Sequence, residues 1–282
     1  KGKGSVSSFI ASILREATID CGLYTSPHLI SFAERITKSL EFLDDKTYAK
    51  AYKILSQTVD SIIPKAYPNQ REPTWFELVT LFAFIAFREA HFSWAVFETG
   101  LGGKLDATNV LLPAASIITE IELEHQEYLG NTIEAIAREK AGIIKNGIPV
   151  FTLSKEVAAI EVFKTQAEKL YAPYFHLDDF IEKLSFSYQN GKMNIEASMP
   201  KLFEKPLKSS LQLLGEYQVR NALLASLAVR TILPQISQEQ IEEGLKKTFI
   251  PGRFQIISQT KTNPLILADG AHTAKSIKHC LK

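Results

Sequence analysis

Cysteine is scarce: two in 282 residues, Cys21 and Cys280, far apart in sequence. That excludes a disulfide framework and fits a protein of the reducing cytoplasm. An excess of one charge sign is also missing. Thirty-two basic and 31 acidic residues leave a net charge of +1, and no Lys/Arg run is dense enough to track a phosphate backbone, so no nucleic acid is expected as partner. Long apolar runs are absent too. The longest, Leu78 to Phe87, is too short to span a bilayer and ends at Arg88 and Glu89, which leaves no role for a membrane. Repeats and low-complexity tracts are lacking as well.

What is present is an ordinary globular mixture, 45% hydrophobic and 22% charged, long enough for one large α/β domain and part of a second. Val6, Phe9, Ile10, Ile13, Leu14 and Ala17 recur at helical spacing, which predicts a helix opening at Ser5. Gly22 to Thr25 reads as a short strand. Thr74 and Glu77 form a capping box before a helix through Ala90 that is apolar nearly all round, hence expected between layers. Trp94 to Glu98 and Ser116 to Ile121 read as buried strands, with a helix from Asn131 through Lys140 stopped by Gly142, then a strand at Val150 to Thr152.

Strands alternating with helices predict a mostly parallel P-loop-type sheet with helices on both faces, ligands lying beyond the carboxyl ends of the strands. Leu184 to Tyr188 and Lys192 to Ala197 flank Asn190 and Gly191, a hairpin signal that adds a small antiparallel part. Helices follow near Val219 to Ile232 and Gln238 to Lys247, the second behind a Ser237 and Gln240 capping box. The chain turns at Pro251 and Gly252, and Leu265 to Ala268 reads as the first strand of a new unit.

Three places carry chemistry. Lys1, Gly2, Lys3, Gly4 and Ser5 precede a helix, where backbone N–H groups can cradle phosphate, Lys3 can neutralise it and Ser5 can approach magnesium. Gly4 separates lysine from serine, unlike the ordinary P-loop, so a glycine-rich turn stays open as the other reading. Glu98 ends a buried strand and is followed by Thr99, Gly100, Leu101, Gly102 and Gly103. A carboxylate there faces the ligand crevice as a magnesium ligand, or is simply a charged strand end beside a tight turn. His125 stands among Glu122, Glu124 and Glu127, as a metal ligand or an ordinary loop histidine.

These segments resemble, in order, the folylpolyglutamate synthase branch of the Mur ligase superfamily. The likeness runs through Lys1 to Ser5, Tyr24 to Leu29 (YTSPHL), Glu98 to Asn109 (ETGLGGKLDATN), Glu124 and His125, and Ala137 to Lys145 (AREKAGIIK). It continues through Gly215 to Asn221 (GEYQVRN), Pro251 to Phe254 (PGRF) and Asp269 to His272 (DGAH). It implies a central ATP-binding domain over residues 1–250, its N-terminal strand and the start of its phosphate loop lying outside the chain. Residues 251–282 would be the linker and the beginning of a Rossmann-like C-terminal domain that helps bind glutamate.

The resemblance further implies that Gly2, Lys3, Gly4 and Ser5 hold ATP phosphates. Asn221, Arg253, Asp269 and His272 complete the nucleotide site. Ser5, Ser26, Glu98, His125 and a carbamylated Lys140 ligate two magnesium ions, with Lys3, His125 and Lys140 acting in catalysis. The expected reaction is ATP-dependent glutamate addition to a folate or to dihydropteroate through an acyl phosphate, in a monomeric cytoplasmic enzyme. A Mur-type ligase acting on cell-wall precursors or cyanophycin, and a nucleotide-binding module without ligase activity, are the alternatives. Two departures stand out: Glu124 where the family has Asp, and Thr273 where it has Asn.

Overall fold

The computed structural model describes residues 1–63, 66–67, 70–258, 266–271 and 277. Its first helix, α1 (Lys3–Glu16), begins two residues before the predicted start at Ser5. Gly2 takes a left-handed φ of 91°, so the chain turns there and Lys3, Gly4 and Ser5 already form the first helical turn. The apolar stripe of α1 is buried as its spacing requires.

β1 (Cys21–Tyr24) is completely buried. It is followed by β2 (Ile36–Lys38) and β3 (Glu41–Phe42), a short antiparallel ribbon that the sequence patterns did not announce. Also unannounced is α2 (Asp45–Ser61), a largely polar helix that fully buries only Ala51. Asp44 caps it, its carboxylate accepting the Thr47 N–H at 3.0 Å. α3 (Trp75–Glu89) opens on the predicted Thr74–Glu77 capping box. It lies between layers as expected, packed on α2 on one side and on Tyr24 and Phe97 of the sheet on another, while Trp75 and Leu81 reach the surface. β4 (Trp94–Phe97) then runs parallel to β1, Cys21 facing Trp94.

β5 (Ser116–Ile118) is shorter than the predicted run to Ile121. After α4 (Gln126–Leu129) comes α5 (Ile133–Ala141), capped by Thr132 and not by Asn131; the Thr132 hydroxyl accepts the Ala135 N–H at 3.1 Å. β6 (Val150–Thr152), α6 (Val157–Lys169) and β7 (Tyr174–His176) extend β5 into a three-stranded parallel ladder. The predicted hairpin is β8 (Lys183–Gln189) and β9 (Lys192–Ser198), turned through Asn190 and Gly191 at φ 53° and 74°. β10 (Leu207–Leu211) adds to β9, and α7 (Glu216–Ile232) and α8 (Gln238–Lys247) follow. β11 (Gln255–Ser258) and β12 (Ile266–Ala268) form an antiparallel pair. Leu265, predicted to open that last strand, lies outside the described residues, as do His272 and Cys280.

Alternation along the strands sorts side chains to two faces. Cys21 and Leu23 of β1 face the core shared with α1 and α7, whereas Tyr24 and Phe97 face α2 and α3. α5 and α6 close a third cluster over Ile118 and Val150. The result is a mixed α/β fold with parallel ladders and helices on both faces. β4 and β5 do not pair with each other. A cavity of about 530 Å³ lies between them, under Ile10 and Leu14 of α1 and Val229 and Leu233 of α7.

Candidate active site at the amino end of the first helix

α1 begins at the carboxyl end of β4, because Lys3 Nζ donates to the Gly100 carbonyl at 3.2 Å, just beyond that strand. The N–H groups of its first turn have no partner within the helix, and together with the helix dipole they favour an anion. Gly2 is required twice over: its φ is left-handed, and a Cβ there would sit 2.6 Å from Oδ1 of Asn221. Asn221 is buried on α7 and donates to Oε1 of Gln218 at 3.0 Å, so the amide is fixed over the turn.

Glu98 is 8% exposed and meets the same turn from the sheet side. Its Oε2 accepts the Ser26 N–H at 3.0 Å, and a Cβ on Gly4 would lie 3.3 Å from that oxygen. Burial raises the Glu98 pKa, while the Ser26 N–H, the Lys3 and Arg253 charges and the Gly4 N–H pull against it. Ser5 is buried in the same first turn. Lys3, Gly4, Ser5, Ser26, Glu98 and Asn221 are thus gathered around one helix end.

From the far end of the chain the charge of Arg253 acts on Glu98. Two turns are stitched together there: Oδ2 of Asp269 accepts the Phe254 N–H at 2.7 Å, Oδ1 accepts the Ala271 N–H at 2.7 Å, and the Gly270 N–H donates to the Gly252 carbonyl at 2.9 Å. Asp269 therefore holds the loop that carries Arg253. His272 is outside the described residues, so its expected role has no structural counterpart here.

Lys140 occupies the last turn of α5. Its pKa falls to about 8, chiefly through burial and then through the Lys3 charge, with Glu124 and Asp106 opposing. Glu134, on the same helix, is paired with Arg138. His125 caps α4 in a left-handed conformation with an exposed side chain, and Glu122 and Glu124 beside it pair with the Lys1 ammonium. Among the described residues no three His, Cys, Asp or Glu side chains converge as a metal-holding group. The expected magnesium set was Ser5, Ser26, Glu98, His125 and Lys140; of these, Ser5 lies in the first turn of α1 and Glu98 accepts the Ser26 N–H beside it.

Three contributors carried no assigned role in the sequence reading. Gln218 steadies Asn221 from three residues earlier on α7, a spacing visible in GEYQVRN. Asp106 and Asn109 lie inside ETGLGGKLDATN; Asp106 caps the loop by accepting from Leu101 and Thr108. Beside this loop, Trp75 and Phe32 form an exposed edge-to-face pair, Arg35 stacks 4.7 Å over Trp75, and Phe76 lies flush against Gly100. The only signal for that aromatic wall was the solvent-side placement of Trp75 at the start of α3.

Residues 1–229 match the family model described as the Mur ligase middle domain. The dihydrofolate synthase/folylpolyglutamate synthase of Bacillus subtilis is 36% identical over 98% of this chain, and the folylpolyglutamate synthase of Lacticaseibacillus casei 33% over 98%. The chain spans 64% of the length of each of these relatives. A solved structure described as an FPGS-AMPPCP-folate complex superposes with a TM-score of 0.89 at 30% identity, covering 99% of this chain and 67% of that one.

Proposed function

We propose, from the premise that this chain belongs to the Mur ligase family and carries its middle domain, that it is the ATP-binding core of a ligase that joins L-glutamate to a folate or to dihydropteroate. The observation that carries the reading is the gathering of Lys3, Glu98, Ser26 and Asn221 around the amino end of α1, with the Arg253 charge acting on Glu98. Joining a carboxylate to an amine requires an activated acyl group, and transfer of the γ-phosphoryl group of ATP to the acceptor carboxylate supplies one. The glutamate amine then attacks the acyl phosphate, forming the C–N bond and expelling phosphate. Such transfer needs placement and charge neutralisation more than a protein nucleophile. Lys3, Arg253 and the first-turn N–H groups provide both, and Gly2, Gly4 and Ser5 let the phosphates approach the backbone.

Magnesium, when bound, would neutralise phosphate charge. The hard oxygen donors of Glu98, Ser5 and Ser26 suit it, since this ion is commonly held by one or two carboxylates together with phosphates. In our reading two ions are bound, and His125 and a carbamate on Lys140 complete their ligands. The burial of Lys140 and the Lys3 charge acting on it support the carbamate, because an ammonium at Lys140 would repel a divalent cation. Asp269 and His272 are assigned to the nucleotide site with Arg253. The exposed rings of Trp75 and Phe32 offer a planar acceptor a wall beside the loop that begins at Gly100.

The domain division belongs to the same proposal: residues 1–250 as central domain, residues 251–282 as linker and start of a C-terminal domain. The slot between the unpaired edges of β4 and β5 has the place and apolar lining for a further strand leading into the turn at Gly2. A monomer of the cytoplasm, with neither nucleic acid nor membrane as partner, completes the reading. The near-zero net charge and the absence of a membrane-spanning helix among the described residues support it. The test is ADP release by the full-length protein with glutamate plus dihydropteroate or tetrahydrofolate, set against muramyl peptides. Release with muramyl peptides alone would overturn the acceptor assignment.

A further inference from the structure

Two backbone segments interlock beside Lys140. Gly103 lies so close to the end of α5 that a Cβ on it would sit 2.8 Å from the Glu139 carbonyl oxygen and 3.0 Å from Cα of Lys140. In return, a Cβ on Gly142 would sit 2.5 Å from Cα of Lys104. Neither glycine has a positive φ, so space, not backbone conformation, requires them. The loop of residues 100–109 and the end of α5 touch through their main chains, each using a glycine to admit the other.

Hydrogen bonds fix the register of this contact. The Lys104 N–H donates at 2.9 Å to the Glu139 carbonyl at the helix end, which also accepts the Gly142 N–H at 3.3 Å. The Asn109 side-chain amide donates to the Lys104 carbonyl at 2.9 Å and to the Gly142 carbonyl at 3.1 Å, bridging the two segments. Lys145 Nζ then donates to the Asn109 carbonyl at 2.8 Å. The loop's other end is tied to the phosphate turn through Lys3 and the Gly100 carbonyl. One loop thus holds Lys3 at its beginning and the backbone of Lys140 at its end.

We propose that Asn109 is a positioning residue for Lys140, its bridging amide and the Gly103–Gly142 interlock fixing the last turn of α5 relative to Lys3. The inference rests on the reading of Lys140 as a working residue of the site. An Asn109 that merely stabilised the fold would lower the melting temperature and affect activity equally whether or not Lys140 were present. One that acts through Lys140 has little left to do once the lysine is removed, and a double-mutant cycle separates the two cases.

The experiment uses the full-length protein with Asn109→Ala, Lys140→Ala and the double variant, measuring kcat, the KM for ATP and the melting temperature. Asn109→Ala lowers kcat about tenfold to a hundredfold, the scale of an ångström-size misplacement, and leaves the KM for ATP within about twofold. Added to Lys140→Ala, it lowers kcat by less than about threefold more. An equal loss in both backgrounds overturns the inference. Unchanged kcat in Lys140→Ala overturns the role of Lys140 and this inference with it, yet leaves ATP-dependent ligation standing; absence of ligation by the unaltered protein overturns the reaction itself. Should Asn109→Ala not fold, Lys145→Met removes only the outer bond of the same network at a half-buried position, and its loss in kcat must vanish in the Lys140→Ala background.

Discussion

Lys3 is where charge and geometry meet, since its ammonium donates to the Gly100 carbonyl from the first turn of α1, where an anion is favoured. Lys3→Ala should lower turnover by about 10²–10³, the scale of removing one well-placed stabiliser of transition-state charge, with unchanged circular dichroism. Near-normal turnover would remove the phosphate-loop assignment. Glu98→Gln keeps the size of the side chain but removes its charge, and should raise the magnesium concentration giving half-maximal activity; an unmoved value would place the ion elsewhere. At Lys140 the sign follows from a pKa lowered to about 8. Carbamate forms when the neutral amine attacks carbon dioxide and releases a proton. An ordinary lysine offers that form only near pH ~10.4, whereas Lys140 does so from about pH 8 upward. Carbon-13 NMR in labelled bicarbonate should therefore show a carbamate signal that grows from pH 6 to pH 8. No signal at any pH in active protein would sink the modification.

Among the elements, α1 has the most demanding neighbour. α8 crosses it at Gly244, where a Cβ would lie 2.5 Å from Cα of Ile13, and the Ser12 hydroxyl donates to the Gly244 carbonyl at 2.8 Å. Gly244→Ala must push the two helices apart, at a cost of about 1–3 kcal/mol for overpacking. Because the moved helix carries the phosphate turn, weaker ATP binding should accompany a lower denaturation midpoint. An unshifted midpoint would mean that the crossing can relax freely. This contact was not readable beforehand: Gly244 sits inside a helix, where glycine by itself signals only reduced helix propensity. The capping boxes at Thr74 and Ser237 and the Asn190–Gly191 hairpin were readable, because a few adjacent residues decide them. α2 and β3 escaped because their burial is slight and their periodicity correspondingly faint, and β2 because three residues are too few to show a period.

For the whole molecule, the slot between β4 and β5, and a chain spanning 64% of the length of its relatives, lead to one expectation. Residues 1–282 by themselves should bind ATP weakly and incorporate no glutamate, whereas a polypeptide of the relatives' length should do both. Full ligation by the 282-residue chain would refute the two-domain reading. The sequence determined the alternation of strands and helices and the types of residue at the site, since hydrophobic period, caps and glycine-rich turns are local and leave their mark in neighbouring positions. The tertiary structure alone decided that the Arg253 charge acts on Glu98, that Asn221 closes over Gly2, and that the main chains of Gly103 and Gly142 interlock beside Lys140. Those contacts join residues far apart in the chain, and their distances are set by how helices and sheets pack, which local pattern does not encode.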